Sequence, residues 1–384
     1  MNKMLNQAVK LISVDDHVIE HPKVWTDRIA TKHHDRCPHV IELENGRQAW
    51  KYEDQEIIIP SSICRTLPEY PKPMPFDQAR FDEMRPGAYD PVARLADMDE
   101  DGVWAQICFP TVPRFAGHLF LTGQDKTLAL DCVRAYNDFI LDEWCAAAPD
   151  RYIPLVVVPL WDVQLAVAEL ERTVAKGAKA LAFSENPTVL GLPSVHTDHW
   201  DPLWKAVEQA DIPICMHIGS SSKLITSSPE APNAVHLTLI GANSMVAMAD
   251  WFFCGALDRF PNLRIVLSEG GAGWVPYTIE RAEHAWSLRG GRLWGQRLAA
   301  AGVERSPIEI FRQNMNVCIV KDDVAMNLLD MIGVERMMWE SDYPHDDSLW
   351  PDSRRTFEET CKGLDDAAAE AIGAGNARRV FRLS

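Results

Sequence analysis

Residues Ser13–Glu20 read SVDDHVIE, and this stretch decides how the rest of the chain is interpreted. An apolar run beginning at Leu11 gives way within it to carboxylates and an imidazole. On an extended strand Asp15 and His17 project to the same side, because side chains alternate between faces with a period of two. The D-x-H pair therefore predicts a two-pronged ligand. The alternative is a solvated strand end whose acids cap the next element.

The composition argues against several classes of partner. The chain has 38 Lys and Arg against 55 Asp and Glu, a net charge of −17 without a block of basic residues, so we expect a small-molecule substrate and neither nucleic acid nor an anionic membrane. Nine cysteines without a C-x-x-C pair predict reduced core thiols. No apolar leader region and no window of ~18 apolar residues is found, so a cytoplasmic location is expected.

Strand-like and helix-like segments alternate along the whole chain. Without a G-x-G-x-x-G or P-loop motif, this alternation favours the α/β class and a closed (β/α)8 TIM barrel as a single domain over residues 1–384. Besides the first strand, the predicted strands are Trp104–Phe109, Tyr152–Val158, Ala180–Phe183, Pro213–His217, Arg264–Glu269, Met315–Val320 and Arg336–Glu340.

A small insertion is predicted after the first strand, at residues 37–87. Asn45-Gly46 lies between two β-rich runs within Cys37–Pro60, which is a strong β-hairpin signal. The Pro-rich stretch Arg65–Gly87 that follows predicts an irregular covering loop.

The ends of the predicted strands are unusually polar. In a (β/α)8 barrel the active site lies at the C-terminal ends of the strands, so these groups should be considered together. Singly, each has an ordinary explanation as a turn residue, a helix cap or a satisfied core histidine. Together, clustered carboxylates repel one another unless a cation or protons compensate, which predicts a divalent metal. The strand ends carry Asp15, His17 and Glu20; Ser184-Glu185-Asn186; His217; Glu269; and Asp342.

Four segments together carry a resemblance to a known family. They are the D-x-H pair, CMHIGSSS (Cys215–Ser222), LSEGGAGWVPYTIER (Leu267–Arg281) and WESDYPH (Trp339–His345). In these segments the chain resembles the amidohydrolase-related metal-dependent barrels, whose relatives include aminocarboxymuconate semialdehyde decarboxylase and the resorcylate decarboxylases. The resemblance runs from about Ile12 to the C-terminal GNARRVFRL.

The resemblance implies a ligand set. Asp15 and His17 would take the place of the family's H-x-H or E-x-H pair, and His217 would be the ligand from the fifth strand. Asp342 would be the ligand from the eighth strand and would also be placed to handle a proton.

One position departs from the decarboxylase relatives. Where they carry a catalytic histidine in an A-H-G-G context, this chain has Ser268-Glu269-Gly270-Gly271. With Glu20 as a further candidate ligand, up to four carboxylates would share the site with two histidines. Such an oxygen-rich inventory suits manganese or iron more than zinc, although affinity order alone does not identify the metal, and it could hold one ion or two. The alternative for Glu269 is a cap of the following helix.

Four residues are candidates for substrate binding. Arg114 and His118 follow the second barrel strand on a loop that faces the same mouth, and Arg114 could hold a carboxylate bidentately. His236 lies at the start of a helix, and His345 follows Asp342 by three residues. Ordinary loop or helix-surface positions remain the alternative for each.

Three functions are open. The first is a metal-dependent enzyme that hydrolyses or non-oxidatively decarboxylates a small, carboxylate-bearing substrate, with Asp342, Glu269 and His217 as catalytic residues. The second is a dinuclear iron or manganese oxygenase of the same superfamily, favoured by Glu20 and by the absence of the strand-six histidine. The third is a non-catalytic subunit of an active paralogue.

A homodimer, or a hetero-oligomer with a paralogue, is expected. The hairpin insertion and the helices around Trp251 and Trp286 would expose more apolar surface than one barrel normally leaves uncovered.

Overall fold

The predicted barrel strands are present and parallel. A computed structural model describes residues 9–57, 80–288, 298, 301–345 and 348–383. In chain order its strands are β1 Leu11–Val18, β2 His39–Glu42, β3 Gln48–Tyr52, β4 Gln55–Ile57, β5 Val103–Pro110, β6 Tyr152–Ile153, β7 Leu155–Val156, β8 Ala180–Ala182, β9 Pro213–His217, β10 Arg264–Ser268, β11 Met315–Ile319 and β12 Met337–Trp339.

The strands form two parallel sheets that together make the barrel. Their orders are β1-β5-β6 and β7-β8-β9-β10-β11-β12. The predicted third barrel strand is divided between β6 and β7 at Pro154, which has no N–H to give to a ladder. Between the last strand and the first, His17 N donates to Tyr343 O at 2.7 Å and Asp342 N donates to Asp15 O at 2.9 Å. These bonds tie the eighth strand end to β1 and place their polar residues side by side.

Helices cover the outside of the sheets. They span Pro91–Asp101, Leu119–Thr122, Lys126–Phe139, Val163–Ala175, Asp201–Ala210, Asn233–Thr238, Ala242–Phe253, Ala256–Arg259, Val275–Ser287, Pro307–Asn314, Asp323–Asn327, Leu329–Ile332, Ser353–Thr360, Asp366–Glu370 and Asn376–Phe381. Three short helices, and not one long helix, occupy residues 233–259. Gly255, with φ +71°, separates the last two, because a left-handed residue cannot continue an α-helix.

The insertion contains a small antiparallel sheet, β2-β3-β4. Leu43 N donates to Arg47 O at 2.7 Å across the turn that holds Gly46, whose φ of +79° suits a glycine. Most of the Pro-rich stretch predicted as a covering loop lies outside the described residues.

Two tryptophans of the outer helices are buried. Trp251 and Trp286 are 1% and 7% exposed, and Trp251 packs against Trp204 in the layer between barrel and helices. These two tryptophans therefore add no exposed apolar surface themselves, and the expected oligomer stays a prediction. The eight cysteines of the described residues are all buried and unpaired, as predicted for reduced thiols. None of the described helices combines the length and apolarity needed to span a membrane.

Candidate active site

The polar residues of β1 lie on the two opposite faces of the strand. Asp15 and His17 meet the other site residues, whereas Asp16 lies on the opposite face, as the period of two requires. Asp16 accepts hydrogen bonds from Ser341 Oγ at 2.6 Å and from Tyr343 N at 2.9 Å. Asp16 therefore fixes the loop after β12 rather than joining the site.

Two overlapping groups of possible metal ligands lie at the mouth of the barrel. Within each group one ligand atom per residue lies within 4.8 Å of all the others. Both groups contain His17 and Glu269, so they form one contiguous set of six donors. The first group is Asp15, His17, His217 and Glu269, and the second is His17, Glu269, Asp342 and His345.

The imidazoles lie at the centre of this set. His217 Nε2 is 3.2 Å from His17 Nε2, 3.4 Å from Asp15 Oδ2 and 2.8 Å from Glu269 Oε2. His17 Nε2 is also 3.2 Å from Asp342 Oδ1. His217 Nδ1 lies 2.5 Å from the carbonyl oxygen of Ile218, a contact that fixes the ring and turns Nε2 toward the carboxylates.

The donor set fits a divalent cation. Both carboxylate oxygens of Asp15 are buried and accept no hydrogen bond from the described residues. Burial raises the pKa of Asp15 well above its usual value, and the negative charges of Glu340, Glu269 and Asp342 raise it further. Burial also lowers the pKa of His17, so its ring is a neutral ligand. Uncompensated carboxylates beside the neutral imidazole of His17 are what a cation would satisfy.

Glu269 and Asp342 both have left-handed backbones, with φ of +58° and +62°. Such conformations cost a non-glycine residue roughly 1 kcal/mol or more, and they collect at functional sites. Glu269 N donates to the buried Glu340 Oε2 at 3.2 Å, which helps to hold the strained residue. The next helix begins at Val275 with Trp274 as its N-cap, so Glu269 is not the helix cap considered as an alternative.

Glu20 does not join the donor set. It is buried, but its two carboxylate oxygens accept hydrogen bonds from the backbone N–H groups of Thr111 at 3.1 Å and Val112 at 2.9 Å. The prediction that Glu20 is a metal ligand is corrected accordingly, because both of its oxygens are directed to the loop after β5.

A cavity of about 480 Å³ opens next to the donor set. All four candidate substrate-binding residues, Arg114, His118, His236 and His345, line it, together with His217 and Glu269 from the donor set. The remaining lining residues are Thr111, Phe115, Ile218, Gly219, Ser222, Leu224, Leu237 and Ile240. The structure thus brings together the residues that were predicted to bind substrate.

Part of the cavity lining is polar. Arg114 is partly buried and forms no ion pair with any described carboxylate, and desolvation lowers the pKa of its guanidinium. Burial lowers the pKa of His118 to about 4, with a further contribution from Arg114, so His118 is neutral. Its Nε2 is hydrogen bonded to Ser222 Oγ. A positive charge and a neutral hydrogen-bonding pair therefore face the cavity.

Phe115 packs against the imidazoles. Its ring centroid lies 4.0 Å from that of His217 and 5.1 Å from that of His17, and His345 stacks on His17 at 3.9 Å. These rings cover part of the two imidazoles His17 and His217. His345 Nδ1 also lies 2.8 Å from Asp342 Oδ1, which places a second imidazole beside that carboxylate.

Three residues of the site were not singled out from the sequence. Phe115 and Ser222 carry no signal beyond lying on loops after barrel strands. Glu340 did carry one, because it lies two residues before Asp342 in the segment Trp339–His345 and so shares its face on an extended chain.

Two other carboxylates, one buried and one partly buried, brace the loops of the mouth. Glu185, at the end of the fourth barrel strand, accepts hydrogen bonds from Ser220 Oγ, Ser221 Oγ (2.8 Å) and Asn243 Nδ2 (3.0 Å). Asp322 accepts from the backbone of the loop after β10, at Ala272 N (2.8 Å) and Gly273 N (2.9 Å). These acids hold loops and lie outside the donor set.

The chain is similar to known proteins over most of its length. A family model described as amidohydrolase matches residues 33–383. Gamma-resorcylate decarboxylase of Polaromonas sp. (strain JS666) is 25% identical over 312 residues, which cover 76% of this chain and 87% of the relative.

Solved structures share the fold. An amidohydrolase from Mycobacterium avium subsp. paratuberculosis K-10 superposes with a TM-score of 0.75 at 23% identity, covering 97% of this chain and 99% of the other. A 5-carboxyvanillate decarboxylase from Novosphingobium aromaticivorans, complexed with manganese and 4-hydroxy-3-methoxy-5-nitrobenzoic acid, gives 0.69 at 17% identity, covering 98% and 97%. The predicted barrel and resemblance are confirmed, and the chain belongs to the amidohydrolase family.

Proposed function

We propose that this protein is a metal-dependent enzyme that removes carbon dioxide, without oxidation, from a small aromatic carboxylate. The observation that carries the proposal is the donor set, of which four buried members are Asp15, His17, His217 and Asp342, beside a cavity lined by Arg114. These four residues would hold a divalent ion, and the carboxylate of Glu269 lies beside them. Arg114 forms no ion pair with a carboxylate in the described part of the chain. The relatives that are decarboxylases of aromatic acids support the reaction type.

The metal is proposed to be manganese or iron in preference to zinc. Carboxylate oxygens make up half of the four-residue set, which suits harder ions. The Novosphingobium relative was solved with manganese. Such an ion acts as a Lewis acid on substrate oxygens.

The residues of this chain supply orientation, exclusion of water and a proton. Arg114 holds an anionic group of the substrate, and Phe115 covers the imidazoles. The bond between the ring carbon and the carboxylate breaks, carbon dioxide leaves, and the electron pair stays on the ring carbon. That carbon takes a proton from Glu269 or Asp342, which later recovers one from water. Hydrolysis would use the same set with water as the attacking group.

One of the two observations that favoured the oxygenase alternative does not hold. That alternative was favoured by Glu20 as an extra ligand and by Glu269 in place of a histidine. Glu20 is bonded to backbone amides, so the four-carboxylate inventory falls to three. The non-catalytic alternative predicts missing ligands, and all four are present.

Metal analysis is the first test. Protein purified without added metal is expected to contain about one divalent ion per chain. It is expected to release carbon dioxide from 2,6-dihydroxybenzoate or from 5-carboxyvanillate, the acids decarboxylated by the relatives. Elemental analysis and a carbon dioxide assay measure the two results. Two iron or manganese ions per chain, with dioxygen consumed, would favour the oxygenase instead.

Metal binding is expected to release protons. Because the pKa of Asp15 is raised, its carboxyl tends to be protonated without an ion, whereas His17 is already neutral. The affinity for manganese should therefore rise with pH up to the raised pKa of Asp15, since the ion displaces a proton. Calorimetric titration with manganese in buffers of different ionisation enthalpy measures the released protons. An affinity that does not change with pH would contradict this assignment.

A further inference from the structure

The loop after β5 presents the substrate-facing side chains in a strained conformation. Arg114 has a φ of +64°, which costs a non-glycine residue roughly 1 kcal/mol or more. Within the loop, Arg114 N donates to Thr111 O at 3.1 Å and Gly117 N donates to Arg114 O at 2.9 Å. These turn bonds are local and the contacts of Phe115 and His118 lie further along the loop, so the start of the loop needs a restraint of its own.

Glu20 provides that restraint. Its carboxylate is fully buried, and each oxygen accepts one backbone N–H at the start of the loop, from Thr111 at 3.1 Å and Val112 at 2.9 Å. No described cation forms an ion pair with Glu20. The two amides are therefore its partners in the loop, and a carboxylate, which only accepts, matches two donors.

We propose that Glu20 is a positioning residue, whose carboxylate holds the start of the loop so that Arg114 faces the substrate in the cavity. Glu20 contacts neither the cavity nor the donor set and acts through Thr111 and Val112. The inference rests on the proposed function only for the class of ligand that Arg114 binds.

The positioning role of Glu20 should depend on pH, because the ionised carboxylate is the form that accepts both amides. Burial raises its pKa to about 7, although the amide bonds oppose the shift. Tyr136, on the helix Lys126–Phe139, faces Glu20 and stays neutral because burial raises the pKa of its phenol. The adjacent His21 is paired with a different acid, since its Nε2 lies 2.9 Å from Glu143 Oε1. Once protonated, one carboxyl oxygen becomes a donor and cannot serve its amide. Ligand binding should therefore weaken as pH falls through about 7.

The test compares Glu20→Gln with the wild-type protein, both loaded with manganese. The amide side chain keeps the shape but places an NH2 group against one of the two N–H donors. The dissociation constant of 2,6-dihydroxybenzoate, measured by calorimetry, should rise about tenfold in the wild type between about pH 8 and about pH 6. In the variant it should be raised at both pH values, with a flat profile. In turnover, KM should rise and kcat should change little.

Hydrogen exchange gives a readout that does not depend on activity. Peptides spanning residues 111–117 should lose protection in Glu20→Gln, while β9 and β10 keep theirs. In the wild type, the protection factor of the same peptide should fall as pH falls through about 7, which tests the proposal even if the variant does not fold.

Glu53→Gln is the matched control. Glu53 is a buried carboxylate that also accepts two backbone amides, from Gln124 at 2.7 Å and Asp125 at 3.2 Å, but these residues do not line the cavity. This variant should lose stability and keep the wild-type pH profile of binding.

The outcomes separate the two proposals. Unchanged protection of residues 111–117 in Glu20→Gln, or a binding profile that keeps its pH dependence, overturns the role of Glu20. If the wild type neither binds nor converts the aromatic acid, the proposed ligand class is wrong. The exchange data alone then decide, with lost protection supporting the role and retained protection refuting it.

Discussion

Replacing His217 with alanine is expected to abolish activity and to remove most of the bound metal while the barrel stays folded. His217 Nε2 lies within 3.4 Å of donor atoms from His17, Asp15 and Glu269, so the variant opens the centre of the donor set. The fold should survive because the catalytic mouth contributes little to the packed core of a barrel. Elemental analysis, circular dichroism and an activity assay measure the three results.

His236→Ala is the matched control for this variant. His236 lines the same cavity but belongs to neither ligand group, so the variant should keep its metal. Full metal content in His217→Ala would show that His217 is not a ligand, and the proposed site would then be wrong.

Replacing Glu269 with glutamine is expected to leave the metal content full and to lower activity by roughly 10²-fold or more. Glutamine keeps the size and an oxygen donor but removes the charge and the transferable proton. The left-handed backbone and the hydrogen bond from Glu269 N to Glu340 should hold the new side chain in the same place. Steady-state kinetics together with elemental analysis make the measurement.

Each other outcome has a defined meaning. The loss of one metal equivalent would make Glu269 a ligand and would support two ions and the oxygenase. If Glu269→Gln keeps both metal and activity, Glu269 has no role in the reaction. Glu280→Gln is a control, because Glu280 is exposed on the helix Val275–Ser287 and its loss should change neither quantity.

The sequence predicted the barrel and most of the donor set because side chains alternate between the two faces along a strand. Asp15 and His17 lie within β1, and the period of two places them on one side correctly although the pairing of β1 with β5 shifts register between Ser13 and Asp16. Glu20 lies beyond Val18, where β1 ends, and there the same argument has no force. A buried acid after a strand can bind a metal or hold a backbone, and only the fold distinguishes these uses.

The parts that could not be predicted depend on contacts between distant segments. The left-handed backbone of Glu269 is held by a carboxylate seventy-one positions later in the chain, and no local pattern reports such a bond. The break at Gly255, by contrast, has a local signal. A glycine inside a long apolar helix pattern is visible in the sequence itself.

The braces formed by Glu20, Glu185 and Asp322 bear on how such an enzyme changes its substrate. Each of these acids follows one barrel strand and holds the loop that follows a neighbouring strand. Loops after barrel strands are usually regarded as exchangeable units on a constant scaffold. Here a transplanted loop would arrive without the acid that fixes it. Recombination, in evolution or in the laboratory, would therefore have to exchange adjacent pairs of loops together. Two neighbouring strand ends with their loops would then be inherited as one unit.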